Sequence, residues 1–402
     1  MTPLRVAMIG HGFMGAAHSV GWRQAPRMFE LPRDVEMTVV VGRNAETVAD
    51  AAARWGWVEA ATDWRQVIAR DDIDIVDIVT PGDSHAEIAI AALEAGKHVL
   101  CEKPLANSVA EAEAMAQAAR RAAEGGVRSM VGFTYRRVPA VTLMRDLVAE
   151  GAVGRVQQVR AAYRQDWLVD PEMPLAWRLQ KEHAGSGALG DIGAHIIDMT
   201  QFVTGLGIDE VTGTLDTIVK QRPLPEGTRS PSLSKREGAV GAAMGEVTVD
   251  DVALFSGRLA NGALASFEAT RFATGRKNAL SIEVSGDRGS LVFDLEDLNS
   301  LGFYDRTAPD IRQGFTKILV TEASHPYVAA WWPAGHMLGY EHGFSHQVVD
   351  LVTAIADGTD PHPSFDEGLS VQQVLDAVEG SSRNGSTWTR VGAAVAVGGA
   401  RR

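Results

Sequence analysis

Three side chains able to move a proton stand in two short settings. Lys103 lies in His98-Val99-Leu100-Cys101-Glu102-Lys103-Pro104, and Asp191 and His195 lie in Gly187-Ala188-Leu189-Gly190-Asp191-Ile192-Gly193-Ala194-His195. The first reads as a short apolar strand ending in a lysine and a proline, and open α/β sheets hold ligands beyond their strand ends. In the second, Asp191 and His195 are four apart in a stretch that continues as a helix through Ile196, Ile197, Met199 and Phe202, so one helix face carries both.

A cofactor site sits at the start of the chain. Val6-Ala7-Met8-Ile9 runs into Gly10-His11-Gly12-Phe13-Met14-Gly15, a G-x-G-x-x-G that follows a strand and opens a helix. The glycines permit a tight turn and let the backbone approach a pyrophosphate at the helix N-terminus. The second strand, Met37 to Val41, ends in Gly42-Arg43-Asn44, where NAD-binding proteins usually carry an acid for the ribose 2′-hydroxyl. With no carboxylate there, and with Arg43 able to pair with a 2′-phosphate, NADP is favoured over NAD. A reading in which Arg43 stacks on adenine while NAD binds stays open.

Oxidising a secondary alcohol needs a base for the hydroxyl proton while hydride leaves the same carbon toward a nicotinamide. A partly desolvated lysine serves as such a base, and histidine exchanges protons near neutrality. We read Lys103 and His195 as an acid/base pair, with the order of transfer open. Asp191 accepts a substrate hydroxyl or orients the lysine, and Glu102 supports geometry. Metal catalysis is not expected, because no cysteine cluster or set of three or four converging ligands can be read. His342 and His346 are four apart at the start of a helix, where a solvent or interface role is expected. The pairs Trp55 with Trp57 and Trp331 with Trp332 read as packing or pocket wall, with sugar stacking by Trp331 or Trp332 the lesser alternative.

The elements that must position these groups fall into two textures. From residue 4 to 133, short β-rich runs alternate with Ala-rich helical segments, which means βαβ units and a parallel sheet. Ile73 to Val79 is apolar on both parities, as in a strand covered on both faces. Later segments alternate, such as Ala263 to Arg271 and Leu280 to Ser285, and predict an antiparallel sheet. We expect an α/β protein with a dinucleotide-binding domain over 1–133 and a substrate-binding and oligomerisation domain over 134–402. Residues 221–245 read as an exposed loop, and a helix near Phe365 to Glu379 is expected to pack back on the first domain.

The chain has 402 residues, 45% hydrophobic and 22% charged, which are the proportions of a soluble globular protein. Its net charge of -13 argues against nucleic acid or an anionic membrane as partner and points to a small molecule. One cysteine, Cys101, excludes an internal disulfide. Without a readable signal core or an apolar run long enough to span a bilayer, a cytoplasmic location is expected.

Together these pieces resemble the glucose-fructose oxidoreductase and inositol 2-dehydrogenase (Gfo/Idh/MocA) family. The matching residues are Gly10 to Gly15 with His18, Thr80-Pro81 with His85, Glu102-Lys103-Pro104, Tyr135-Arg136-Arg137, and Gly190-Asp191-Ile192-Gly193 with His195. The family implies an N-terminal Rossmann domain and a C-terminal α/β domain built on a large, mostly antiparallel sheet that often forms dimers or tetramers. Within it, the insert Arg23 to Asp34 and the stretches Gln165-Asp166-Trp167 and Pro174 to Arg178 resemble a levoglucosan dehydrogenase-like group. By that resemblance Lys103, Tyr135, Gln165, Asp191 and His195 contact a sugar. Thr80, Pro81, His85, Glu102 and Lys103 border the cofactor, with Trp177 and Arg178 near the nicotinamide.

The resulting expectation is an NAD(P)-dependent dehydrogenase acting on a ring hydroxyl of a sugar, anhydrosugar or cyclitol, with C3 of a pyranose the favoured position. Redox-neutral glycoside cleavage by oxidation and elimination, or a non-catalytic NADP(H)-binding regulator, are the alternatives. The segments expected to shape the pocket, 166–186 and 321–342, carry no readable code for the sugar.

Overall fold

In the computed structural model, which describes residues 2–225 and 240–392, the β-branched runs of the first third become short parallel strands. These are β1 (Leu4–Ile9), β2 (Val35–Val41), β3 (Glu59–Ala61), β4 (Ile75–Ile78), β5 (His98–Cys101) and β6 (Ser129–Val131). Their order is β3-β2-β1-β4-β5-β6, every neighbouring pair parallel. All four residues of β4 are buried, as its apolar run demands. The helices between them are α1 (Phe13–Met28), α2 (Ala45–Trp55), α3 (Trp64–Ile68), α4 (His85–Glu94) and α5 (Val109–Glu124). Strand order reverses between β1 and β4, so a crevice opens beyond their C-terminal ends, where Gly10, Thr80 and Lys103 lie.

A short turn at Thr134–Arg137 and helix α6 (Pro139–Ala149) lead to the second sheet. Its strands are β7 (Val156–Arg164), β8 (Ile208–Asp216), β11 (Val252–Leu259), β12 (Leu264–Thr270), β13 (Ala279–Gly286), β14 (Gly289–Asp294), β15 (Ser300–Asp305), β16 (Phe315–Leu319) and β17 (Thr389–Arg390). Among the described residues this sheet has nine strands, in the order β16-β15-β14-β13-β7-β12-β11-β8-β17. Only β7 with β12 is parallel. Alternation sends Ala253, Phe255 and Leu259 inward and leaves Leu254 exposed, and Phe255 stacks on Phe267 with ring centroids 4.5 Å apart. Helices α7 (Lys181–Ala184) and α8 (Ala194–Thr204) fall between β7 and β8, and α6 and α8 pack on the inward face.

Two expectations are corrected. Within 221–245, β9 (Gln221–Pro225) and β10 (Val240–Glu246) form an antiparallel pair; residues 226–239 lie outside the described residues. Two C-terminal helices return to the first sheet's layer. Helix α9 (His342–Asp357) packs on α1 and sends Val348, Leu351 and Val352 into a core shared with Val6, Met8 and Trp22. Helix α10 (Phe365–Arg383) packs on α5 and on β8. It starts with a capping box between Ser364 and Glu367.

The second correction concerns His342 and His346, which are buried rather than facing solvent. The segment through Tyr327 and Trp331 covers them, with ring centroids 4.3 Å from Tyr327 to His346 and 4.5 Å from Trp331 to His342. There His346 Nε2 accepts from Trp331 Nε1 at 2.7 Å, and its Nδ1 lies 2.8 Å from the Arg137 carbonyl. Trp331 and Trp57 are buried in packing roles, whereas Trp332 is exposed and Trp55 partly buried.

Candidate active site

Strand β5 ends at Cys101, and the next residues reach the crevice. Lys103 Nζ donates to the Asp191 carbonyl oxygen at 2.6 Å and stands 3.5 Å from the Asp191 carboxylate. Asp191 sits in a wide π-type turn, Leu189–Gly193, that runs into α8; such turns recur at functional sites. The sequence spacing predicted an ordinary helix here. The turn is anchored from outside, because the Asp250 carboxylate accepts the backbone N–H groups of Gly187 and Leu189 at 2.7 and 2.8 Å. Arg271, fully buried, brings Nη1 to 3.8 Å from the Asp191 carboxylate.

Charge in this cluster is settled by its neighbours. Burial raises the Asp191 carboxyl, but Lys103, Arg178 and Arg271 outweigh it and hold the group below the usual carboxylate range. Burial, reinforced by the Lys103 cation, holds His195 well below 6.5 against the pull of Asp191, so its imidazole is neutral. The His195 ring lies among aromatic rings, with centroids 4.7 Å from Tyr135, 5.8 Å from Tyr163 and 6.1 Å from Phe133.

A polar chain continues from these rings. The Tyr135 and Tyr163 hydroxyls are 2.8 Å apart, and Tyr163 donates to Asn278 Oδ1 at 2.7 Å. Gln165 Nε2 donates to the same oxygen at 2.8 Å, while Gln165 Oε1 accepts from Trp167 at 3.0 Å. Tyr135 and Asn278 also line a cavity of about 280 Å³ with Thr134, Lys277, Leu298 and Tyr340. Lys103, Asp191 and His195 do not line that cavity; Tyr135 stands next to both it and His195.

The glycine loop has the shape a dinucleotide requires. Gly10 has φ +115°, and a side chain there would collide with the Val79 backbone. Gly12 is the N-cap of the 16-residue α1 with no side chain capping it, and nothing lies within 4 Å of where its Cβ would be. An open helix N-terminus with unsatisfied N–H groups fits a pyrophosphate. Phe13 is half exposed and stacks with Tyr340 at 6.5 Å, whereas Met14 is partly buried and packs against the core. Gly15 lies against the Gly10 carbonyl.

The other cofactor candidates are placed variously. Arg43 is exposed at the end of β2, and Asn44 caps α2 by accepting from Thr47 N at 2.9 Å. Thr80 Oγ1 accepts from Ser84 at 2.8 Å next to Pro81. His85 is buried with ring nitrogens 2.9 Å from the Thr80 carbonyl and 3.1 Å from the Pro104 carbonyl, so its ring braces the two loops. Glu102 is buried against His18. Arg178 stacks on Trp177, 4.3 Å from the ring centre, and its charge reaches Asp191. Among the described residues, no three His, Cys, Asp or Glu side chains are grouped to hold a metal ion, and no helix is long and apolar enough to cross a membrane.

Comparison with known proteins agrees with the fold. Residues 4–133 match the model of an oxidoreductase family with an NAD-binding Rossmann fold, and residues 141–292 match the GFO/IDH/MocA C-terminal domain. The chain belongs to the Gfo/Idh/MocA family. It is 42% identical over 97% of its length, and 99% of the relative's, to levoglucosan dehydrogenase of Pseudarthrobacter phenanthrenivorans. A crystal structure of levoglucosan dehydrogenase in complex with NADH and levoglucosan superposes with TM-score 0.90 at 40% identity, covering 98% of this chain and all of that one. An oxidoreductase domain protein from Kribbella flavida superposes with TM-score 0.92 at 62% identity, covering 97% and 100%. As a Gfo/Idh/MocA member the protein is an NAD-binding oxidoreductase of the sugar dehydrogenase type.

Sequence reading missed Tyr163, Asn278, Asp250 and Arg271. Asn278 lies beside a strand whose alternation was legible and Tyr163 on β7, which was not read; in both cases the direction in which a strand end faces depends on how the two sheets meet. Buried charge was the available signal for the others. Asp250-Asp251 and Arg271 flank apolar strands, and ions in such places are paired or structural.

Proposed function

We propose that this protein oxidises a ring secondary hydroxyl of a pyranose or anhydrosugar, with C3 the favoured carbon, and that Lys103, His195 and Asp191 carry the proton chemistry. The observation that supports this most is the meeting of Lys103, Asp191 and a neutral His195 at the C-terminal edge of the parallel sheet. A nicotinamide dinucleotide bound by Gly10, Gly12 and Gly15 supplies the hydride acceptor. Lys103, held from behind by Asp191, meets the reacting hydroxyl. The neutral imidazole of His195 can take a proton, and its ring is held by Tyr135 and Tyr163. Asp191, held anionic, accepts a neighbouring hydroxyl or aligns the lysine and is not itself an acid. Tyr135 and Gln165 offer further polar contacts to the sugar ring, and Arg178 with Trp177 closes the nicotinamide side.

NAD use is supported by the NADH held in the related levoglucosan dehydrogenase structures. Arg43, exposed at the end of β2, supports binding of NADP as well, and we propose that both serve. The outward face of the large sheet, with Leu254 and Leu264 exposed, supports a homo-oligomer.

The test is turnover of levoglucosan carrying deuterium at C3. Deuterium appearing in the reduced nicotinamide, with a 3-keto product, supports the reading. Deuterium retained in the sugar overturns the C3 assignment. A cleaved glycoside with no net reduced cofactor, when glucosides are supplied, places the chemistry with redox-neutral cleavage.

A further inference from the structure

Behind the strand that delivers Lys103 lies a buried ionic triad that the proposed chemistry does not use. His18, on the second turn of α1, has Nδ1 2.9 Å from both oxygens of Asp77 on β4 and Nε2 3.0 Å from Glu102 Oε1. The three side chains are 5% exposed or less. Trp22, one turn further along α1, donates its indole N–H to Asp77 at 2.7 Å. The His18 ring also packs on Phe344 of α9, centroids 5.3 Å apart.

A neutral imidazole carries one N–H. Here both ring nitrogens face carboxylate oxygens at hydrogen-bonding distance, so each contact needs its own proton. We infer that His18 is a positioning residue for the proton-transfer centre: as an imidazolium clamped between Asp77 and Glu102, it fixes the end of β5, and with it Lys103, to the helix that carries the dinucleotide loop. This rests on the proposed role of Lys103.

The mechanical case is direct. Gly12, at the open helix end, and His18 are six residues apart on one rigid helix, about 9 Å along its axis. Glu102 immediately precedes Lys103, and its second oxygen accepts the Lys103 backbone N–H at 3.3 Å. A side chain at Gly132 would collide with Glu102 Oε1, so the carboxylate is held on that side too. Cofactor loop and lysine are thus set against each other through one ring. Burial alone would lower the His18 pKa, but the charges of Asp77 and Glu102 and their hydrogen bonds overcome it and raise it to about 10. Cys101, buried alongside, has its thiol pushed up by burial and by the same carboxylates, so it stays neutral.

Two measurements on the full-length protein test this. With 15N-labelled histidine, the wild type should show one ring with both nitrogens protonated at pH 8.5, a signal absent from His18→Gln. If every histidine is a neutral tautomer at that pH, the inference is overturned. In kinetics, His18→Gln and Glu102→Ala should lose about 10- to 100-fold in kcat, the scale of a small misplacement. The KM for sugar and the Kd for NADH should stay within about threefold. Glu102→Gln, which keeps an acceptor for the His18 N–H, should recover most of what Glu102→Ala loses. A purely structural role would lower Tm and leave kcat unchanged below it. If Lys103→Ala is inactive while His18→Gln and Glu102→Ala keep wild-type kcat, the clamp fails alone; if Lys103→Ala keeps turnover, the reading of Lys103 fails first. Should His18→Gln not fold, the wild-type spectrum and the Glu102 pair decide.

Discussion

The Lys103 ammonium donates to the backbone carbonyl of Asp191 at 2.6 Å while standing 3.5 Å from that residue's carboxylate. One residue therefore holds the lysine twice, once through an atom no substitution removes and once through a charge that can be deleted. Asp191→Asn should keep the first hold and lose the second. We expect kcat to fall about 10- to 100-fold with Tm little changed, measured by steady-state turnover and thermal melting. An unchanged kcat would remove the carboxylate from the account.

His195 is held well below its ordinary pKa by burial and by Lys103. It therefore stays neutral as pH falls through 6.5 and protonates only at more acid pH. The kcat/KM profile should show no acid-side break near 6.5. A break there that vanishes in His195→Asn would contradict the assignment. Linkage runs the same way: His195 costs the fold stability only as pH drops below 6.5.

His18 has the opposite sign. Its pKa is raised from 6.5 to about 10, so its contribution to stability is complete below 6.5 and is lost as pH rises through about 10. Chemical denaturation between pH 7 and 10 should show wild-type stability falling relative to His18→Gln, by at most about 1.4 kcal/mol per pH unit. Parallel curves would refute the charge assignment.

Arg136 is buried, bonded to Asp198 through Nε and Nη2 at 2.6 to 3.1 Å and to Glu367 through Nη1 at 2.6 Å. It ties the Tyr135 turn to α8 and α10. Asp198→Ala leaves that cation without its main partner and should cost about 3–5 kcal/mol, read from urea unfolding. A loss under about 1 kcal/mol would mean the pair is replaceable by solvent.

Gly12 has open space where a Cβ would be and no strained φ. Gly12→Ala should thus fold with unchanged Tm yet weaken NADH binding by about tenfold or more, because the backbone must approach the pyrophosphate closely. Equal affinity in a fluorescence titration would move the cofactor away from this helix end.

Much of this architecture was legible because its signals are local. The parity of Ile73 to Val79, the glycines at 10, 12 and 15 and the alternation over Ala263 to Arg271 each specify their own element. Lys103, Asp191 and His195 could be paired because each sits at the end or start of such an element. What could not be read depends on how elements dock. Helix α9 carries His342 and His346 on a side that becomes interior only when the Tyr327–Trp331 segment folds over it. The π turn at Leu189–Gly193 is imposed by Asp250, an anchor about sixty residues downstream. Asn278 joins Tyr163 and Gln165 only across strands that pair in space.

The most direct test of the central claim is the rise of reduced-nicotinamide absorbance when the wild type and Lys103→Ala are given levoglucosan with NAD or NADP at mildly alkaline pH. The account predicts steady reduction by the wild type. It also predicts a loss of kcat of about 100-fold or more in Lys103→Ala, with NADH affinity nearly intact. Comparable turnover by the two proteins would contradict it.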